Sequence, residues 1–236
     1  MEKSKNRTYS VSMMLLMWVV GKIIFHVLNR IKVFGRENLN GRGNVLFISN
    51  HFTLIDPFLI CPNVTSFWQF AFNGRLAPWS AAARENFFDR RARRFFFSRM
   101  KCIPVDRNLR TESAINNQVK QYVEALADSS LLIFFEGTRS RDGKIGECKI
   151  GVPKTILAAN PKIIPIKLVG VQPIMPISFG SKVKIRGIRF GHRGQMIIGK
   201  PISSEEIINR CFDEDRAKFE KNIGIFIRNV VDELHA

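Results

Sequence analysis

Six short runs of β-branched, aromatic and other apolar residues recur along the chain: VLFIS (45–49), CIPV (102–105), LLIFF (131–135), IIPIK (163–167), VKIRGIRF (183–190) and QMIIG (195–199). Runs of this length and composition read as strands. Between several of them the period changes to that of a helix. From Thr111 to Asp128, Ile115, Val119, Tyr122 and Leu126 fall on one face. From Asp213 to Leu234, Phe219, Ile223, Phe226, Ile227 and Val230 recur at spacings of three and four, which predicts an amphipathic helix covering a sheet. Strands alternating with helices dictate an α/β fold, here a mixed, mostly parallel sheet flanked by helices. With 236 residues the chain can bury a substantial core as a single domain, placed at 31–236, behind a separate segment at 1–30.

Charge narrows the partners. Lys and Arg total 37 against 20 Asp and Glu, a formal net charge of +17, which implies nucleic acid, anionic lipid or an acidic substrate. Arginines interleaved with phenylalanines suit a basic nucleic-acid-binding module. No RNP-like, zinc-finger or helix-turn-helix signature accompanies them, and the apolar N-terminus argues against that class, so no nucleic acid partner is expected. Cys61, Cys102, Cys148 and Cys211 are dispersed without a C-x-x-C pair, which suggests neither a zinc site nor a disulfide scaffold and fits a reduced, cytosolic compartment. His26, His192 and His235 have no partner at metal-ligand spacing, so no metal is expected.

Two segments point to a membrane. Val11 to Leu28 is an apolar stretch interrupted by Lys22 and His26, near the lower length limit for spanning a bilayer. Its core runs on into Phe25, His26 and Val27 with no small-residue cleavage site, unlike a secretory signal. Basic residues flank both ends (Lys3, Lys5 and Arg7 before; Arg30, Lys32 and Arg36 after), so charge sets no orientation, and the expectation is a helix lying on one leaflet. A span or a buried N-terminal helix are the alternatives. The second segment is Arg84 to Lys101, where a helical wheel gathers Phe88, Ala92, Phe95, Phe96 and Met100 opposite Arg90, Arg91, Arg93 and Arg94. A basic face bearing aromatics suits a phospholipid headgroup layer, and a core helix with a solvated basic face is the alternative.

Chemistry concentrates at two strand ends. VLFIS runs into Asn50-His51-Phe52-Thr53-Leu54-Ile55-Asp56-Pro57, which puts a histidine at the carboxyl end of a strand, where open α/β sheets bind ligands. A carboxylate on its other ring nitrogen would fix the tautomer and stabilise an imidazolium, and a turn ending at Pro57 brings Asp56 into reach. Asp56-Pro57 also reads as the start of a helix. LLIFF runs into Glu136-Gly137-Thr138-Arg139-Ser140, where Gly137 admits close backbone approach and Arg139 offers a forked donor to phosphate. Alone, that string equally describes a β-turn with a solvated arginine.

Together, NHFTLID, CIPVDR at 102–107, FFEGTRS at 134–140 and IIPI at 163–166 resemble in order and spacing the four blocks of the glycerolipid acyltransferase family that includes the 1-acylglycerol-3-phosphate O-acyltransferases. The resemblance runs from about Val33 to Ile202, and Lys149 and Gly151 match the lysine-x-glycine that follows the third block. Phe135 departs from it, standing where the family usually has proline. The resemblance makes 31–236 an acyltransferase domain and implies that His51 takes the proton from the acceptor hydroxyl as it attacks an acyl thioester, with Asp56 orienting the imidazole. It assigns Arg107, Glu136, Gly137, Thr138, Arg139 and Lys149 to substrate binding, the arginines on a phosphate, which suits bidentate recognition. The implied co-substrates are a lysophospholipid acceptor, with the sn-2 hydroxyl of 1-acylglycerol-3-phosphate foremost and other lysophospholipids or lyso-ornithine lipids as alternatives, and acyl-CoA or acyl carrier protein as donor. No other cofactor is implied, and the enzyme is expected on the cytoplasmic face of an anionic membrane surface.

Overall fold

The computed structural model describes residues 9–39, 44–84, 88, 91–106, 109, 111–178, 184–185 and 187–236. In chain order the main elements are α1 (Val11–Lys22), β1 (Arg30–Phe34), β2 (Val45–Ser49), α2 (Asp56–Val64), α3 (Phe67–Phe72), β3 (Trp79–Ala83), α4 (Arg91–Ser98), β4 (Cys102–Val105), α5 (Glu112–Asp128) and β5 (Leu131–Phe134). There follow α6 (Gly151–Ala159), β6 (Lys162–Val169), β7 (Ile177–Ser178), β8 (Lys184–Ile185), β9 (Arg193–Ile198), β10 (Ile202–Ser203), α7 (Ser204–Cys211) and α8 (Arg216–Asp232). The main sheet runs β1-β9-β6-β2-β5-β3-β4, with β10 added to β6. Strands β6, β2, β5, β3 and β4 pair in parallel; β9 and β10 run antiparallel to β6, and β1 runs parallel to β9. This is a mixed, mostly parallel sheet.

Alternate residues of the central strands supply two cores, one on each face. Leu46, Ile48, Leu131 and Ile133 pack with Tyr122, Leu126, Ile156 and Ile223 from α5, α6 and α8. Val45, Phe47, Leu132 and Phe134 pack with Phe25, Leu59 and Ile60 on the other side. Burial of both faces explains why VLFIS and LLIF are continuously apolar instead of alternating. Parallel pairing also places the carboxyl ends of adjacent β2 and β5 side by side, Ser49 opposite Phe134.

The expected strand at 183–190 is realised only at Lys184–Ile185, which pairs with Ile177–Ser178 in a separate two-stranded ribbon; residues 183 and 186 lie outside the described residues. Apolar positions 183 and 185 alternate in one phase and 188 and 190 in the other, so no single face of a longer strand would be apolar. The helix expected over 84–101 is described as Arg91–Ser98; residues 85–87 and 89–90 lie outside the description, and Lys101 turns into β4 with φ of 52°. At the N-terminus, α1 continues into one wide π turn at Ile23–Val27. It packs on α2 so closely that a Cβ on Gly21 would lie 2.2 Å from the Phe58 carbonyl oxygen. Among the described residues no helix is long and apolar enough to cross a membrane.

Candidate active site

The site grows from the carboxyl end of β2. Past Ser49 the Asn50 side chain takes over the ladder, accepting from Leu168 N–H at 2.7 Å and donating to Leu168 C=O at 3.0 Å. The backbone of His51 is then held on both sides: its N–H donates to Glu136 Oε1 at 3.0 Å, and its C=O accepts from Ser140 N–H at 2.8 Å. The imidazole stacks on Phe134, centroids 3.9 Å apart, and its Nδ1 lies 2.9 Å from Asp56 Oδ2. With Nδ1–H given to the carboxylate, Nε2 carries the lone pair.

Asp56 is fully buried. Its Oδ2 also accepts from the N–H groups of Phe52 at 2.7 Å and Thr53 at 2.8 Å, and its Oδ1 accepts from the Thr53 hydroxyl. Both oxygens of this buried carboxylate are thus met by donors of the protein itself. As the first residue of α2, it also sits at the positive end of that helix dipole. Both readings of Asp56-Pro57 therefore hold: the tight turn that starts α2 is what folds the carboxylate back onto His51.

Glu136 faces inward. It is 4 % exposed, and its second oxygen accepts from Gly146 N–H at 3.1 Å, so the carboxylate ties the β2, β5 and 146 loops together. Burial raises its pKa above the usual carboxylate range; the two backbone donors oppose that, and the negative charges of Asp56 and Asp142 add to it. Gly137 has φ of 66°, and a Cβ there would sit 3.0 Å from Lys149 Cγ, so both conformation and space call for glycine. Thr138 is exposed and Arg139 half-exposed on the same turn, while Lys149 is exposed beside it and bonds through its own N–H to Phe135 C=O at 2.9 Å. Phe135, where the resembled family usually has proline, donates its N–H to Ser49 C=O at 3.3 Å, a bond proline lacks, and its fully buried ring joins the core. Arg107 lies outside the described residues; Asp106, just before it, pairs with Arg84 at 2.9 Å.

Of these groups, His51, Phe134, Gly137 and Lys149 line an apolar cavity of about 260 Å³, while Asp56, Glu136, Thr138 and Arg139 are not part of its lining. Its walls come from α1 (Met14, Met17, Trp18), α2 (Phe58, Cys61) and α5 (Gln118, Tyr122). Room for it comes from β3, whose Ser80, Ala81, Ala82 and Ala83 all line the space with small side chains. Sequence reading missed this wall, because WSAAA carries neither the branched residues nor the alternation that mark a strand. It also missed the bracing by Glu136, whose partners are main-chain N–H groups of two different loops, at His51 and Gly146. Cys61 and Cys102 face the cavity, and burial pushes both thiols up to about 12. Among the described residues no group of three or more His, Cys, Asp or Glu is placed to hold a metal ion.

The sequence model of one family, Acyltransferase, matches residues 30–169, more than half of the chain and the whole span from β1 through β6. The chain belongs to the Acyltransferase family. Within the family, this acyltransferase chain is 26% identical over 202 residues to a chloroplastic 1-acyl-sn-glycerol-3-phosphate acyltransferase of Arabidopsis thaliana, covering 83% of this chain and 50% of that protein. It is 32% identical over 108 residues to a chloroplastic 1-acyl-sn-glycerol-3-phosphate acyltransferase of Brassica napus, covering 45% of this chain and 29% of that protein. The acyltransferase chain thus spans about half the length of the first curated relative and less of the second. Its fold is shared with the crystal structure of the 1-acyl-sn-glycerophosphate acyltransferase PlsC of Thermotoga maritima, with a TM-score of 0.59 and 17% identity, covering 92% of this chain and 78% of that one.

Proposed function

We propose that this chain transfers a fatty acyl group from an acyl thioester to the sn-2 hydroxyl of 1-acylglycerol-3-phosphate at a membrane surface, with His51 as general base. The observation that carries the proposal is the His51–Asp56 pair set in the wall of an apolar cavity. Nε2 takes the hydroxyl proton as the oxygen attacks the thioester carbonyl; the tetrahedral adduct collapses, the C–S bond breaks, and the imidazolium returns its proton to the departing thiolate. Asp56 stabilises the imidazolium in between. Direct transfer suits the site, because the cavity thiols of Cys61 and Cys102, pushed up to about 12, are poor nucleophiles at neutral pH. The donor is acyl-CoA or acyl carrier protein.

Arg139 and Lys149, with Arg107, are the cations assigned to the acceptor phosphate, and Thr138 adds a hydroxyl donor. Gly137 supplies the turn. Glu136 we assign to bracing the loops, on the strength of its two backbone bonds. The membrane reading is supported by exposed apolar side chains on three neighbouring elements: Leu16 and Val19 on α1, Trp68 and Phe72 on α3, and Phe95 among the exposed arginines of α4.

The test supplies the purified full chain with 1-acylglycerol-3-phosphate, lysophosphatidylcholine, glycerol 3-phosphate or a lyso-ornithine lipid, each with acyl-CoA and with acyl carrier protein thioester, and reads products by mass spectrometry. The expected product is phosphatidic acid, and His51→Ala lowers turnover by about a hundredfold or more. Near-normal turnover in His51→Ala would overturn the base assignment; a preferred acceptor without a phosphate monoester would overturn the substrate.

A further inference from the structure

Away from His51, basic side chains from α1, the π turn and the segment after β1 converge on one amide, that of Asn63 near the end of α2. Lys22 Nζ and Arg36 Nη2 both donate to Asn63 Oδ1 at 2.6 Å. Asn63 Nδ2 donates to Leu59 C=O at 2.7 Å and lies 3.1 Å from His26 Nε2, while His26 Nδ1 lies 2.9 Å from Ile31 C=O. A carbonyl only accepts, so the His26 proton is on Nδ1, and Nε2 takes the amide N–H: a neutral imidazole that sets which way Asn63 points. Desolvation, above all, holds the His26 pKa below its ordinary value.

Two cations therefore share one neutral oxygen of a residue that is 4 % exposed. Among the described residues no ion pair joins either to a carboxylate. Burial first, and Arg36 second, bring the Lys22 pKa down to about 8. The carboxyl end of α2 offers about half an elementary charge, which offsets only part of the repulsion. A phosphate brought to the pair meets two converging donors and removes that repulsion. Lys22 is half-buried and Arg36 exposed, so the pair is reachable from outside.

The surroundings say which kind of phosphate. Leu16, Val19, Ile23 and Val27, spaced by three and four along α1 and its π turn, are 60%, 41%, 44% and 72% exposed, an outward apolar stripe. Lys22 lies roughly 60° from Val19 around the helix axis, so charge and stripe adjoin. Cations bordering an apolar helix strip match the boundary between headgroups and acyl chains. We propose that Lys22 and Arg36, held on Asn63, bind the phosphate of an anionic membrane lipid whose chains lie against the exposed stripe of α1. The proposal rests on the membrane-surface reading above and adds a specific headgroup site to it.

The experiment floats the full chain with vesicles of phosphatidylcholine alone and of phosphatidylcholine containing phosphatidylglycerol, comparing wild type, Lys22→Gln/Arg36→Gln, and Lys218→Gln/Lys221→Gln, which removes the same charge from α8 on the other side of the sheet. Circular dichroism melting confirms that each variant is folded. The expected result is a loss of roughly tenfold or more in the added affinity for phosphatidylglycerol in the first variant, a much smaller loss in the second, and unchanged binding to phosphatidylcholine. Equal losses in the two variants mean diffuse charge attraction and overturn the site while leaving membrane association intact. Wild type that floats with neither vesicle overturns both. A third arm measures acylation of Lys22 by an amine reagent: protection by phosphatidylglycerol vesicles and not by inorganic phosphate supports a lipid ligand, whereas equal protection by inorganic phosphate overturns the lipid assignment in favour of a free anion.

Discussion

Asp56 and Glu136 are both buried carboxylates that accept backbone N–H groups, yet their substitution by the matching amide has opposite consequences. In Asp56→Asn the amide oxygen keeps the three donors now on Oδ2, and the new NH₂ faces a Thr53 hydroxyl that can turn to accept it. The turn survives while the negative charge that stabilises the His51 imidazolium is lost. Turnover is expected to fall about a hundredfold or more with little change in melting temperature. Glu136 carries one main-chain donor on each oxygen, so in Glu136→Gln an NH₂ must face an N–H. That costs about 1–3 kcal/mol and is expected to appear as a lowered melting temperature, with turnover falling only as the loops loosen. If the two variants traded phenotypes, the division between imidazolium-stabilising charge and loop brace would be wrong. His51 and Asp56 were legible in sequence because a five-residue turn joins them. Glu136 was visible as a residue but not in its orientation, since the backbone groups it satisfies come from loops that meet only after the sheet assembles.

At the scale of elements, the strands legible in sequence were β2, β4, β5, β6 and β9, each written as a short apolar run, together with helices α5 and α8 whose apolar stripes are long. What escaped was set by packing. The small residues of β3 form a strand because β4 and β5 pair on either side of it, and nothing in WSAAA signals that alone. The close crossing of α1 and α2 was equally hidden, since a single glycine within an apolar run has no distinctive pattern. Gly21 is where this crossing can be tested. The nearest atom to an added methyl is a backbone carbonyl oxygen, so neither a rotamer change nor a flexible side chain can yield, and α1 must shift away from α2. Gly21→Ala is expected to destabilise the fold by about 1–3 kcal/mol, the usual cost of overpacking. Because Trp18 on α1 and Phe58 on α2 both line the cavity, the same shift should raise KM for the acyl substrates more than it lowers kcat. A variant with wild-type melting temperature and KM would show that the crossing is looser than this geometry requires.

For the whole molecule, the N-terminal segment is at once wall and surface, which changes how membrane attachment has to be tested. Met14, Met17 and Trp18 line the cavity, and Met14 packs with Phe70 and Ala77 in a small core of its own. Deleting the segment would therefore open the cavity and expose that core, and loss of activity in such a truncation would say nothing about lipid. The separable feature is the outward stripe. Leu16→Ser, Val19→Ser and Ile23→Ser together alter residues that are 60%, 41% and 44% exposed and leave the inward face intact. Each buried aliphatic side chain contributes about 1.5–3 kcal/mol to transfer from water, so even partial insertion of three of them predicts a loss of vesicle binding on the order of a hundredfold. Melting temperature is expected to be unchanged, and so is turnover of substrate dispersed in detergent, where the surface need not be found. Binding that persists should be released by salt, because the net charge of +17 remains. Vesicle flotation beside a detergent-based assay separates the two roles: if flotation is undiminished in the triple variant, α1 serves the cavity alone and attachment has to come from the aromatics of α3 and the basic face of α4.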